Sequence, residues 1–258
     1  MRLKDKNILI TGSATGIGEA MARRFVAEGA RVIVHGLDRA AGEAVVDSLG
    51  DRAALFINDL ADADAAAELI GFAIDRFGRL DGLVNNAATI PRSNLFNTDA
   101  ALFDRTMAIN VRAPMLLIQA AFPHLKKSQG AVLNIGSVNV YTGESNLLAY
   151  SISKGALMTM TRNLADAHGI DGVRVNQMNL GWVLSANEDK MQRSLGKPAD
   201  WHARLPKALA PAGRILRPDE VAAAAVYWMS DESQIISGTV MELEQFPIIG
   251  RNPTKEAV

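Results

Sequence analysis

Seven short apolar runs, each set off from the next by a longer stretch, limit what this chain can fold into: residues 7–10, 31–35, 53–57, 80–84, 131–137, 173–179 and 238–243. Most are apolar at successive positions rather than at every second one. A strand of that kind belongs in a sheet covered on both faces. The stretches between them include helical patterns over 38–49, 62–77, 99–125, 150–168 and 218–230, with Pro114 expected to kink the third. After the first run, Ile17, Met21, Phe25 and Val26 keep helical spacing until Gly29 stops it. Strand and helix alternate to the end. The expected fold is therefore α/β: a Rossmann-like, doubly wound, parallel seven-stranded sheet in a single domain over 1–258. Residues 180–209 show no clear pattern and are long for a loop. They are expected to form an irregular, mobile substrate loop.

Composition removes several function classes. The 258 residues carry 27 basic and 28 acidic side chains, so bulk charge offers no hold on nucleic acid or an anionic membrane. Cysteine is absent, which excludes disulfides, thiol catalysis and thiolate-bound zinc. The histidines, His35, His124, His168 and His202, are scattered, and no metal site is expected. The N-terminal apolar run is too short for a signal peptide, and no stretch is long enough to span a membrane. A soluble, cytoplasmic protein is expected.

Two local patterns carry chemistry. In the first, Gly12-Ser13-Ala14-Thr15-Gly16-Ile17-Gly18 joins the first strand to the first helix. Glycines allow a tight turn and close backbone approach, and a helix start presents free N–H groups and a positive dipole end to a diphosphate. Packing alone can also demand glycine there. In the second, Tyr150 and Lys154 are spaced to share a helix face, and Ser137 ends a buried strand. A phenol is a weak base near neutrality, and a neighbouring cation favours its ionised form. Such a pair can exchange a proton with an alcohol or carbonyl, and a serine hydroxyl can hold the reacting oxygen. A Tyr-x-x-x-Lys pair on a helix is otherwise an ordinary surface feature.

Together these residues resemble the short-chain dehydrogenase/reductase family over nearly the whole chain. Thr11 to Gly18 is similar to its cofactor turn. Asn85-Asn86-Ala87-Ala88 is similar to its Asn-Asn-Ala-Gly motif, with Ala88 for glycine. Asn110, Ser137, Tyr150 and Lys154 match its catalytic tetrad. The resemblance implies that Tyr150 is the general acid/base and that Ser137 orients the substrate oxygen. Lys154 would lower the phenol's pKa and bind the nicotinamide ribose, and Asn110 would help hold a relay water. It further implies that Asp59 and Leu60 meet the adenine and that Asn86, Ala87, Ala88, Gly181 and Val183 line the cofactor. Two stretches depart from the family: Leu180-Gly181 where Pro-Gly is common, and Glu244-Gln245-Phe246 where Asp-Gly-Gly is usual.

The implied cofactor is NAD or NADP. Gly36 stands where NAD-preferring relatives often carry Asp. Leu37 is not basic, Asp38 could reach the ribose or cap a helix, and Arg39 or His35 could reach a phosphate; the balance leans to NAD. The segments that bound the family's pocket hold Asn139, Glu144 and Trp182, among other polar residues, which suit a ligand rich in hydroxyls. A sugar, lactol or polyol is the expected substrate. The alternatives are a hydrophobic or acyl-thioester ketone, an epimerisation through a transient ketone, or a non-catalytic dinucleotide-binding protein. The resemblance also implies a homotetramer, with apolar residues such as Met115 and Leu157 on its long helices.

Overall fold

The computed structural model describes residues 1–249; the tail at 250–258, and with it the end of the expected single domain, lies outside the described residues. Seven strands form one sheet: β1 (Asn7–Ile10), β2 (Arg31–Gly36), β3 (Ala53–Ile57), β4 (Gly82–Asn85), β5 (Ala131–Ser137), β6 (Arg174–Leu180) and β7 (Val240–Leu243). Their order is β3-β2-β1-β4-β5-β6-β7, and every neighbouring pair is parallel. The order reverses between β1 and β4, so a crevice opens at their carboxyl ends.

Helices α1 (Gly16–Ala27), α2 (Arg39–Leu49) and α9 (Pro218–Met229) cover one face, while α3 (Ala65–Phe77), α5 (Ala113–Ser128) and α7 (Leu148–His168) cover the other. The continuous apolar runs make sense against this plan. In β1, Ile8 and Ile10 join the core with Met21 and Phe25 of α1, while Leu9 joins the core with Leu69 and Leu117 opposite. Phe25 is wholly buried, and burial of such a side chain contributes about 1.5–3 kcal/mol. No helix among the described residues is long and apolar enough to cross a membrane.

Two expectations change. The helix expected over 99–125 is broken into α4 (Ala100–Met107), a π turn at Ala108–Arg112, and α5. Pro114 has no N–H to give the carbonyl four residues back, at Asn110, and its ring crowds that carbonyl, so the α-helical ladder widens just before it. The stretch expected to be irregular after β6 contains α8 (Ala186–Ser194) and a small core of its own, in which Trp201, Ala210 and Ile215 pack with Trp182, Leu184 and Leu205. A short helix, α6 (Asn139–Thr142), also precedes α7.

Candidate active site

The glycine turn and the end of β4 are stitched together. Thr11 Oγ1 accepts from the N–H groups of Asn86 and Ala87, both at 3.0 Å, and Asn86 Nδ2 donates to Thr11 O at 2.8 Å and Gly12 O at 3.1 Å. Gly12 has φ of +64°, and a Cβ there would lie 2.9 Å from Ala87 Cα. A Cβ on Gly18 would fall 2.3 Å from Gly12 O. Packing thus demands both glycines before any ligand is considered. Gly16 sits at φ +63° on the first turn of α1, where Thr15 supplies no side-chain cap. The helix start is left open to an anion, so the donor set fits a dinucleotide's diphosphate.

On the adenosine side, Leu37 is 67% exposed at the end of β2. Asp38 caps α2, accepting from Ala41 N–H at 3.1 Å. Asp59 accepts from Ala61 N–H and pairs with Arg105, each at 2.9 Å, and these bonds hold its carboxyl below the usual range. Leu60 is buried in the core. His35 does not reach outward as expected. Its ring is 2% exposed and bonded at both nitrogens within the protein, so it is not available to a phosphate. Arg39 lies 3.6 Å from Glu43.

The reactive groups meet above β5 and β4. Tyr150 and Lys154 lie on α7, and Ser137 ends β5; all three are buried. The Ser137 hydroxyl is close enough to Tyr150 to lower its pKa, and its Oγ accepts from Asn139 N–H at 3.2 Å. Lys154 Nζ donates to Ile135 O at 2.7 Å and stands 5.6 Å from the Tyr150 ring centroid. The start of α7 is fixed from outside: Ser93 Oγ accepts from Ala149 N–H, and Ser93 bridges to Leu147. Asn110 sits in the π turn. Its Nδ2 donates to Thr89 O at 2.9 Å and Ser153 Oγ at 3.0 Å, and Ser153 donates to Tyr150 O at 2.7 Å.

The phenol does not behave as the Tyr–Lys spacing suggests. Burial pushes Tyr150 up to about 12; the Ser137 bond lowers it and the nearby Glu144 carboxylate raises it. Burial pushes Lys154 down to about 8. Desolvation is the largest influence on both groups, and the ammonium spends its described hydrogen bond on the main-chain carbonyl of Ile135.

The segment after β6, residues 181–216, forms a lid whose contacts reach the site. Asn187 Nδ2 donates to Thr15 Oγ1 at 3.2 Å, which sets α8 against the glycine turn. Trp182 Nε1 donates to Glu188 at 2.8 Å and Trp201 Nε1 to Asp189 at 2.9 Å, while the two indoles pack at 5.1 Å. Trp182 is thereby built into the lid's own core. Gly181 N–H donates to Leu243 O at 2.9 Å and Trp182 N–H to Glu244 Oε2 at 3.3 Å. Val183 is buried beneath, and Ala88 is exposed at the crevice. Glu144 lies 3.5 Å from Arg92.

Comparison with known proteins agrees with this geometry. A family model described as Enoyl-(Acyl carrier protein) reductase matches residues 12–244. Meso-2,3-butanediol dehydrogenase of Serratia marcescens is 32% identical over 92% of the chain and 92% of that protein. L-fucose dehydrogenase of Mus musculus is 36% identical over 89% of the chain and 84% of that protein. Among solved structures, a 3-ketoacyl-(acyl-carrier-protein) reductase from Brucella melitensis complexed with NADH superposes with a TM-score of 0.83. It is 29% identical, covering 93% of this chain and 97% of that one.

Proposed function

The chain belongs to the short-chain dehydrogenase/reductase family and is an NAD(P)-dependent oxidoreductase, and we propose that Tyr150, Ser137, Lys154 and Asn110 carry its proton chemistry on a hydroxyl-rich substrate. The observation that carries this reading is the pair of buried, neighbouring hydroxyls of Tyr150 and Ser137, with Lys154 one helical turn away. A phenol held at about 12 keeps its proton at neutral pH, so it meets a carbonyl oxygen as an acid. Ser137 can donate to the same oxygen while its own oxygen accepts from Asn139 N–H. In the alcohol-oxidising direction the phenol must first lose its proton, and a charged Lys154 favours that loss. Bound nicotinamide supplies the hydride acceptor or donor and, when oxidised, a positive charge. Asn110 spends both amide hydrogens on Thr89 and Ser153, so its amide group positions α7 rather than donating to a water.

The substrate proposed is a sugar, lactol or polyol. Three things support it: the carboxylate of Glu144 close enough to raise the Tyr150 pKa, the polar Arg92–Asn146–Glu144 cluster, and the similarity to L-fucose dehydrogenases. NAD is the proposed cofactor. His35 is turned inward, and Glu43 offsets Arg39, leaving little positive charge for a 2′-phosphate. Assembly as a homotetramer is proposed through α5 and α7, which leave Met115 and Ile152 exposed at 45% and 44%. A panel of aldoses, polyols, hydrophobic secondary alcohols and hydroxyacyl thioesters, followed by NADH absorbance, tests the substrate. Activity confined to the last two would overturn the carbohydrate reading.

A further inference from the structure

His35 is the one buried imidazole beside the cofactor crevice, and it touches both halves of it. Four bonds tie this residue to the glycine turn. Its ring Nδ1 accepts from Gly12 N–H at 3.2 Å, its carbonyl accepts from Ser13 N–H at 2.7 Å and Ala14 N–H at 3.3 Å, and its own N–H donates to Ser13 Oγ at 3.0 Å. The far side of the ring meets the loop after β3, with Nε2 at 3.2 Å from Asn58 O and 3.0 Å from Asn58 Oδ1. Asn58 cannot turn its amide nitrogen to the ring, because Nδ2 donates to Ala65 O at 3.0 Å and faces Glu68 Oε2 at 3.4 Å.

These partners fix the ring's protonation. Nδ1 faces a donor, so it must be an acceptor; Nε2 faces two acceptors, so it must carry the hydrogen. The ring is a neutral Nε2–H imidazole. A second proton would go on Nδ1 and point at the Gly12 N–H, donor against donor. Protonation therefore breaks the bond that holds the first glycine of the turn.

We propose that His35 is a positioning residue for the dinucleotide: its neutral ring clamps the diphosphate-binding turn to the adenine-side loop, and cofactor affinity falls when the ring takes a second proton. The proposal rests on the reading of residues 11–18 and 59–60 as the cofactor site. Few charges oppose protonation or favour it. Asp59 in the adjoining loop faces the ring but is paired with Arg105 of α4, and Glu68 of α3 reaches only Asn58. β1, the glycine turn and β3 contain no ionisable side chain. Burial, the largest influence, pushes the ring's pKa below the ordinary histidine value, so the loss of affinity falls on the acid side of neutrality.

The test uses calorimetric titration of the full-length protein with ADP-ribose, which spans the diphosphate and adenine regions and leaves the Tyr150–Lys154 end empty. Wild type should bind ADP-ribose with affinity that falls progressively, by about twofold or more, from near pH 7.5 to near pH 5. His35→Asn places an amide oxygen close to where Nδ1 was and cannot titrate. It should bind within about threefold of wild type at neutral pH and show no acid-side loss, since only the Asn58 bond is gone. His35→Leu should bind more weakly by roughly two- to tenfold at every pH, the worth of one net hydrogen bond. Circular dichroism melts establish that each variant is folded; if His35→Leu does not fold, His35→Asn decides alone. A wild-type affinity flat with pH, or a His35→Asn profile identical to that of wild type, overturns the role given to His35 and leaves the cofactor site intact. Failure of wild type to bind ADP-ribose at any pH, with NADH also unbound, overturns the cofactor-site reading itself.

Discussion

Lys154→Met isolates the cost of holding an ammonium in the active site. Lys154 is 3% exposed, and its single described hydrogen bond is to Ile135 O at 2.7 Å. Burial lowers its pKa from the ordinary 10.5 to about 8. At neutral pH the charged form therefore costs about 3 kcal/mol relative to the unfolded chain. The sign follows from proton counting. Between about pH 8 and about pH 10.5 the unfolded chain holds this proton and the folded chain does not, so stability contributed by this site rises with pH. Methionine removes the titration. It also removes the bond to Ile135 O, but that loss does not vary with pH. The stability difference, variant minus wild type, should thus fall by about 2–3 kcal/mol from near pH 7 to near pH 10, whatever its value at neutral pH. Urea unfolding at fixed protein concentration, followed by circular dichroism, measures it. A difference that is flat across this range would refute the reasoning, because the ammonium would then titrate as it does in water. A difference that grows instead would mean that a phenolate at Tyr150 pairs with Lys154 in the folded state.

The remaining predictions concern the site directly. Tyr150→Phe should leave the fold and NADH binding intact and lower turnover by about 10²–10⁴-fold, as loss of a general acid/base does; turnover within a few-fold of wild type would remove Tyr150 from its role. Leu37→Arg, at an exposed position beside Asp38, should move the kcat/KM ratio toward NADP, and an unchanged ratio would place the adenosine ribose elsewhere. Gly181→Ala should destabilise the lid base and raise KM for substrate, because its Cβ would lie 1.8 Å from Glu244 Oε2. Combining it with Glu244→Ala should recover about 1 kcal/mol of stability, which a double-mutant cycle in urea reads. Light scattering at micromolar concentration that gave the mass of one chain would end the tetramer proposal.

Most of the fold is legible because its signals are local. Runs such as that at Ala131–Ser137 cannot sit comfortably in a half-exposed sheet, and Asp38, Asp99 and Pro218 mark helix starts that the structure keeps. The glycine turn and the Tyr150–Lys154 pair are legible for the same reason, since a helix brings residues four apart together. What was hidden depends on distant partners. The α8 stretch, ANEDKMQRS, offers only Met191 as a large apolar side chain, and its support comes from Trp182 and Trp201 on either side of it and, through Asn187, from the distant Thr15. His35 reads as an outward strand end because nothing in the sequence shows that Gly12 and Asn58 will take both its nitrogens. The direction of the Tyr150 shift was missed because spacing reports the neighbouring charge and not the burial that outweighs it.

The two departures from the family pattern meet at one edge of the sheet. Residues 180–181 and 244–246 are far apart in sequence, but β6 and β7 are adjacent and parallel, so their carboxyl ends emerge side by side. At that edge the Glu244 carboxylate accepts from Trp182 N–H over a glycine with no Cβ to exclude it. Gln245 then reaches the other end of the lid, accepting from Ala212 N–H at 2.9 Å and donating to Arg214 O at 2.7 Å. Between these points the lid's two ends are already bonded: Leu216 N–H donates to Trp182 O at 3.0 Å, and Leu184 N–H to Leu216 O at 2.7 Å. A small residue pair in place of Glu244-Gln245 would leave the N–H groups of Trp182 and Ala212 without these acceptors. The side chains here supply three of the lid's anchoring contacts, and with the Asn187–Thr15 bond they hold α8 against the turn that begins the cofactor crevice. The unusual C-terminal strand end therefore acts on the segment that follows Leu180-Gly181, tying its two ends to the edge of the sheet.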